Sequence, residues 1–518
     1  MNIKAKILWA DDEIDLLKAH LLFLEEKGYS VQTVTNGEDA VAFMQKEDFD
    51  IVFLDETMPG MDGLEALVRI KEIKPGVPVV MVTKNEEESL MEEAIGSKID
   101  DYLTKPVNPS QLLLSCKKCL EKKRIKKERI SRKYAEKFSE IYQILNNQPD
   151  FKNWMDLHIR LCEWEIEIDE YPDMGMTDTL TDLRKECNSL FSRYVEKHYR
   201  EWIFGNNRPE LSIDVVPSHI IPELKNGKKV VFIVLDCIRL DQWLVIEPYL
   251  YDYFNIEKEY YFSILPTATP YSRNSMFSGL FPREIEKRYP DIWQEWDDED
   301  DSRNRHEKEL LDILLKKNGV NLNPELKYVK ILNVDDAKTL ERNLSSFLNL
   351  QLLVIVINFA DLLAHKRSES EVLKEITKNE SAYRSVTRSW FEHSSLFYIL
   401  RNIAGKENIV FITSDHGSIR GKRGTKVIGD RETSPNLRYK YGRNLQVDPR
   451  NAIVIKNPYD YRLPERNINC QYIIAKEDFI FLYPTGYHHY YNLYKDSFQH
   501  GGVSLEEMVL PIVKLIGK

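Results

Sequence analysis

The stretch LLVIVINFADLLAH, residues 352–365, sets the class of the larger part of this chain. Its first six residues are branched aliphatics without interruption, as in a strand buried on both faces. Asp361 follows, and His365 lies four residues later, one helical turn on. An acid and an imidazole delivered at a strand end gain meaning only if other strands send matching groups. They do. KKVVFIVLD ends in Asp236, NIVFITSDHG ends in Asp415 and His416, and FQHGGVSLEEMVLPIV sets His500 ahead of the last strand.

Long helical stretches separate these strands, so residues 206–518 read as a large α/β domain. Mixed carboxylate and imidazole ligands suit Zn²⁺, with Mn²⁺ next. The three Asp and three His suffice for two ions with open positions, an arrangement suited to phosphoryl chemistry. A nucleophile is also needed. LPTATPYSRNSMFSGLFP, residues 265–282, offers Thr267, Thr269, Ser272, Ser275 and Ser278. Free hydroxyls are poor nucleophiles, and metal coordination activates them.

Residues 1–120 alternate strand and helix signals, the pattern of a parallel sheet covered on both faces. Asp11 and Asp12 follow KILWA, and Asp55 closes DIVFLD. Sites of open parallel sheets form beyond the carboxyl ends of the strands. Three carboxylates gathered there repel unless a cation sits among them, and hard oxygen ligands suit Mg²⁺. Thr83 ends PVVMVT and Lys105 ends DYLTK, adding a hydroxyl and an ammonium to the same edge. Carboxylate, Mg²⁺ and Lys are the parts needed to accept a phosphoryl group as an acyl phosphate.

Between the two regions, residues 121–205 lose the strand signal and read as a helical linker or bundle. The segment 117–133 carries ten Lys or Arg against two Glu. Ile125, Ile130, Tyr134, Phe138 and Ile141 recur at helical spacing, so the charges read as a solvated helix face, with nucleic-acid or partner contact as the alternative.

Composition narrows the classes further. The 518 residues are 42% hydrophobic and 30% charged, with a net charge of -11, which argues against a generally basic nucleic-acid coat. No apolar run reaches the ~20 residues of a membrane span. Six scattered Cys suit a reducing compartment, and the single CxxC, Cys116 and Cys119, is too little for a zinc site. A cytoplasmic protein is expected.

Residues 1–120 resemble a response-regulator receiver domain of flavodoxin-like fold. The resemblance implies Asp55 as phospho-acceptor, Mg²⁺ on Asp11, Asp12, Asp55 and the Thr57 carbonyl, and Thr83, Tyr102 and Lys105 as the switch. It also implies a sensor histidine kinase upstream. Residues 225–518 resemble the alkaline phosphatase superfamily, especially its phosphodiesterases and the PglZ domain. There the resemblance implies Thr269 as nucleophile, ten residues before Gly279, with Thr267 as the alternative. It implies one zinc ion on Asp361, His365 and His500, and another on Asp236, Thr269, Asp415 and His416.

The phosphodiesterases carry a phosphate-binding Asn soon after the Thr. Here Ser272 holds that register, with Arg273 and Asn274 beside it, and Arg273 is the candidate fork donor to phosphate. Arg420, in the basic Gly-rich run with Lys422, Arg423 and Lys426, and His488 and His489, in an aromatic stretch, are further candidates for substrate contact. The three regions in this order resemble the PorX-type response regulators. That resemblance implies control of type IX secretion, a sigma factor or secretion components as partners, and phosphorylation-linked dimerisation. The expected activity is a zinc-dependent phosphodiesterase acting on cyclic or linear oligonucleotides. The alternative is a signalling protein whose metal-bound domain only docks.

Overall fold

The computed structural model describes residues 4–84, 99–170, 175–294, 305–367, 370–430, 433–465 and 468–518; the side chains at 122–124, 126–131, 294 and 365–366 lie outside the described set. The chain forms two compact units, residues 1–142 and 143–518.

The first unit is built on five parallel strands, β1 (Ala5–Ala10), β2 (Tyr29–Val34), β3 (Ile51–Asp55), β4 (Val79–Thr83) and β5 (Asp101–Thr104), in the order β2-β1-β3-β4-β5. β1, β3 and β4 are buried almost throughout, because helices cover both faces of the sheet. Asn36 and Asp62 cap the two helices Gly37–Lys46 and Gly63–Ile73 by accepting from backbone N–H groups of the first turn. Gly63 is required by close approach: a Cβ there would stand 2.1 Å from the Asp55 carbonyl oxygen. Cys116 and Cys119 are buried on the core side of the Pro109–Asn146 helix, and burial pushes the Cys116 thiol up to about 12.

The second unit centres on six strands, β6 (Val230–Leu235), β7 (Phe254–Phe262), β8 (Lys327–Ile331), β9 (Leu352–Ile357), β10 (Ile409–Thr413) and β11 (Val509–Gly517). Their order is β7-β11-β10-β6-β9-β8. β10, β6, β9 and β8 run parallel, while β11 is antiparallel to both of its neighbours. β6 and β9 are entirely buried, and apolar clusters pack on both faces of the sheet. The fold class is therefore α/β, with a flavodoxin-like receiver, a helical middle and a larger alkaline-phosphatase-like region.

The helices Phe151–Asp169 and Thr177–Phe204 pack within this second unit. The reason lies in their buried faces. Asn188 donates from Nδ2 to both carboxylate oxygens of Glu506 at 3.2 and 2.9 Å, and its Oδ1 accepts from the Leu505 N–H. Arg384 pairs with Asp169 and Asp241. Among the described residues no helix is long and apolar enough to cross a membrane.

Candidate metal and phosphoryl-transfer sites

In the first unit, Asp11, Asp12 and Asp55 each offer an oxygen within 4.8 Å of the others. Lys105 Nζ lies 3.0 Å from both Asp11 Oδ2 and Asp55 Oδ2. Burial raises the Asp55 carboxyl above its ordinary range, against the pull of Lys105. Burial works to lower the Lys105 ammonium, but its bonds to Asp55 and Asp11 prevail and hold it high. A cation among these oxygens relieves the repulsion that one ammonium leaves in place. Thr83 is buried, and its hydroxyl donates to Glu56 Oε2. Tyr102 is 50% exposed, and Thr57 lies in the loop after β3.

In the second unit, the parallel neighbours β10, β6 and β9 bring their carboxyl ends together, which explains the next cluster. Asp236, Asp415 and His416 present ligand atoms within 4.8 Å of one another, all three buried. Among the described residues, none donates a hydrogen bond to Asp415 Oδ2. Burial, and Asp236 after it, push the Asp415 carboxyl well up. An orphaned buried carboxylate oxygen beside a second carboxylate and an imidazole fits a divalent cation. His416 Nδ1 lies 3.1 Å from the Gly417 carbonyl. A carbonyl only accepts, so Nδ1 carries the proton and Nε2 keeps its lone pair for the cluster. Burial holds this ring below its ordinary pKa, hence neutral. Gly417 is needed because a Cβ would stand 1.9 Å from the Glu506 carbonyl oxygen.

His500 stacks on His416, ring centroids 4.3 Å apart, and its Nε2 lies 3.5 Å from Asp361 Oδ1. Asp361 is thus gathered beside the first cluster. The side chain of His365 lies outside the described residues.

The two threonines separate clearly. Thr269 opens the Thr269–Ser278 helix, and its Oγ1 lies 2.9 Å from His416 Nε2 and 3.4 Å from Asp236 Oδ1. Thr267 Oγ1 instead donates to the Gly502 carbonyl at 2.8 Å and accepts from the Gly501 N–H at 3.2 Å, bracing the loop that carries His500. Ser272 Oγ donates back to the Ala268 carbonyl, and Asn274 Nδ2 to the Pro270 carbonyl.

Arg273 is 1% exposed and reaches the carboxylates: Nη1 donates to Asp236 Oδ2 at 2.7 Å and stands 3.7 Å from Asp415 Oδ2. Arg420 pairs with Asp496 at 3.0 Å. His488 and His489 are exposed on the Tyr487–Tyr494 helix, none of whose residues is buried. That helix is tied down through Tyr487 and Tyr491, whose hydroxyls donate to the carbonyls of Gly424 and Lys422.

Sequence reasoning missed three groups. Glu307 is buried against Arg273, with its Oε1 2.6 Å from Arg273 Nε. Asn358 is buried at the end of β9, with no donor to its Oδ1 among the described residues. Glu506 accepts from Asn188 of the Thr177–Phe204 helix, and the Glu506 carbonyl packs closely against Gly417. Only Asn358, in the strand-end register beside Asp236, left a signal in the sequence. A third grouping, Glu210, His219 and Glu259, is partly exposed, and its His219–Glu210 contact of 2.8 Å reads as an ion pair.

Residues 215–515 match the family model of the BREX system PglZ alkaline phosphatase-like domain. Residues 7–117 match the response regulator receiver domain, and residues 124–203 match the PorX response regulator linker domain. The chain belongs to the PorX-type response regulators with a PglZ domain. Its receiver is 33% identical over 119 residues to the transcriptional regulatory protein ResD of Bacillus subtilis, covering 23% of this chain and 49% of ResD. It is 36% identical over 118 residues to the alginate biosynthesis transcriptional regulatory protein AlgB of Pseudomonas aeruginosa, covering 23% of this chain and 26% of AlgB. The chain thus spans half or less of the length of these curated relatives. Among solved structures, a CheY-like receiver from Methanospirillum hungatei is 29% identical, covering 23% of this chain and 97% of that one, with a TM-score of 0.22. The response regulator TrrA of Thermotoga maritima is 30% identical, covering 22% and 98%, with a TM-score of 0.21. The PorX-type chain therefore joins a response-regulator receiver to an alkaline phosphatase-like domain. Both are kinds of domain that bind divalent metals.

Proposed function

We propose that this chain is a phosphorylation-controlled, zinc-dependent phosphodiesterase. The observation that carries the proposal is the Thr269 hydroxyl, 2.9 Å from His416 Nε2 and 3.4 Å from Asp236 Oδ1. A purely structural metal site needs no nucleophile. In this reading Asp236, Asp415 and His416 hold one zinc ion, and Asp361, His365 and His500 hold the other, with Mn²⁺ as the substitute. Bound zinc supplies the positive charge that lowers the pKa of a hydroxyl or water and neutralises the phosphoryl oxygens.

Thr269 Oγ1 gives up its proton and forms the new bond to phosphorus as the bond to the leaving group breaks, and the departing oxygen takes up a proton to leave as an alcohol. Water then cleaves the phosphothreonine and restores the hydroxyl. The dipole of the helix that Thr269 opens favours the negative charge gathered on phosphate. Asn274, Arg420, His488 and His489 are the residues for substrate contact outside the metal cluster. The substrate class is an oligonucleotide phosphodiester, cyclic or linear.

Asp55 accepts the phosphoryl group from a sensor histidine kinase, with Mg²⁺ on Asp11, Asp12, Asp55 and the Thr57 carbonyl. Lys105 neutralises the incoming charge, and Thr83 and Tyr102 respond to it. The PorX-type resemblance extends this reading to a role in type IX secretion, with a sigma factor or secretion components as partners, a phosphorylation-linked dimer and a cytoplasmic location.

The test is hydrolysis of a generic aryl phosphodiester by the metal-replete protein, beside Thr269→Ala and a chelated sample. Activity lost in both controls is expected. Activity untouched by Thr269→Ala rejects the threonine mechanism. No activity in any sample favours a docking role for the metal-bound domain.

A further inference from the structure

Arg273 lies one helical turn after Thr269, with its guanidinium inside the protein. On one side Nη1 holds Asp236 Oδ2 at 2.7 Å. On the other side Nε donates to Glu307 Oε1 at 2.6 Å. Glu307, at the start of the Glu307–Lys317 helix, is wholly buried, and the Tyr328 hydroxyl of β8 donates to its second oxygen. Three side chains of ionisable type thus stand in a row beside an apolar cluster that includes Met276, Phe277, Leu310 and Leu311.

Such a row is a poor way to gain stability. Taking each charge out of water costs several kcal/mol, and apolar groups of like volume often serve as well. Its geometry suggests another use. Asp236 has two oxygens with different neighbours: Oδ2 is taken by Arg273, while Oδ1 faces Thr269 Oγ1 at 3.4 Å and His416 Nε2 at 3.7 Å.

We infer that Arg273, Glu307 and Tyr328 form a positioning relay that fixes Asp236 with one oxygen engaged and the other presented to a metal ion. The inference rests on the proposal that the Asp236, Asp415 and His416 cluster holds a metal. Arg273 alone would compete with a cation for Asp236 and, at 3.7 Å, for Asp415. Glu307 cancels that charge. With that charge offset, both aspartates stay open to the ion, while the guanidinium still sets the orientation of Asp236. Groups behind a metal ligand act on affinity in this way. Arg273 is then a positioning residue, and the phosphate fork expected of it falls to other groups.

The experiment uses the full chain, stripped by chelation and titrated with Co²⁺, followed by the visible absorption of the bound ion and by equilibrium dialysis. Glu307→Gln keeps the shape and removes the charge. The expected result is one cobalt ion bound about 10–100-fold more weakly with a shifted visible band, and the other ion unchanged. Tyr328→Phe removes one hydroxyl only, and is expected to weaken the same ion by about tenfold, the low end of that range. If Glu307→Gln fails to fold, Tyr328→Phe decides. Wild-type affinity and an unshifted band in the folded variants overturn the relay and leave the proposed function standing. Absence of cobalt uptake by the wild type overturns both.

Discussion

Each unit collects carboxylates beyond the carboxyl ends of central parallel strands, but each compensates their charge differently. In the receiver, Asp12 is exposed, and one Lys105 ammonium is shared by Asp11 and Asp55 at 3.0 Å each. In the large unit, Asp236 and Asp415 are buried and face the guanidinium of Arg273, itself fixed by Glu307. A lysine is a point charge on a flexible stem and can follow a phosphoryl group that comes and goes. A forked, fully buried arginine cannot. The receiver edge is thus suited to a transient guest, and the edge of the large unit to a resident ion.

The comparison can be broken most sharply at the two acceptor atoms. Asp55→Asn is expected to abolish acid-stable-gel labelling of the full chain by acetyl phosphate while leaving aryl phosphodiester hydrolysis measurable. Thr269→Ala is expected to do the opposite, with labelling retained and hydrolysis down by ~10³-fold or more. Loss of both activities in either variant would mean that the two edges do not act as separate centres. Next in size is Asn188→Ala. Its amide gives Glu506 two hydrogen bonds inside the protein. Leaving that carboxylate short of donors is expected to cost about 2–3 kcal/mol in urea denaturation of the large unit.

The smallest expected effect is a pH dependence confined to the large unit. Burial, reinforced by Arg184, holds the His158 imidazole well below its ordinary value. The unfolded chain therefore takes up a proton that the folded chain refuses. This contribution to stability is complete above about pH 6.5 and declines as pH falls below it. Denaturation midpoints at pH 7.5 and 5.5 are expected to differ less in His158→Gln than in the wild type. An equal difference in both proteins would remove His158 as the cause.

Much of both edges was readable before any coordinates. Asp11 and Asp236 directly follow buried strands, Asp55 closes one and Asp415 stands two residues past another, so covalent proximity fixes which sheet edge they reach. The choice between Thr267 and Thr269 was not readable in the same way. Both sit in the same short run, and what separates them is a loop 234 and 235 residues away that occupies the Thr267 hydroxyl. Arg273 was similarly ambiguous, since a cation near a nucleophile suits a phosphate as well as a carboxylate.

The sequence by itself determined the class of each region, the strand ends that carry candidate ligands and the candidate phospho-acceptor, because apolar periodicity and strand-end position are local properties of the chain. Only the tertiary structure decided where Arg273 points, that Glu307 and Tyr328 stand behind it, and that Asn188 grips Glu506. The Arg273–Glu307 and Asn188–Glu506 contacts join residues 34 and 318 positions apart, and their reason is the need of buried charges for partners. That need is met by whatever the fold brings near, and no local pattern records it.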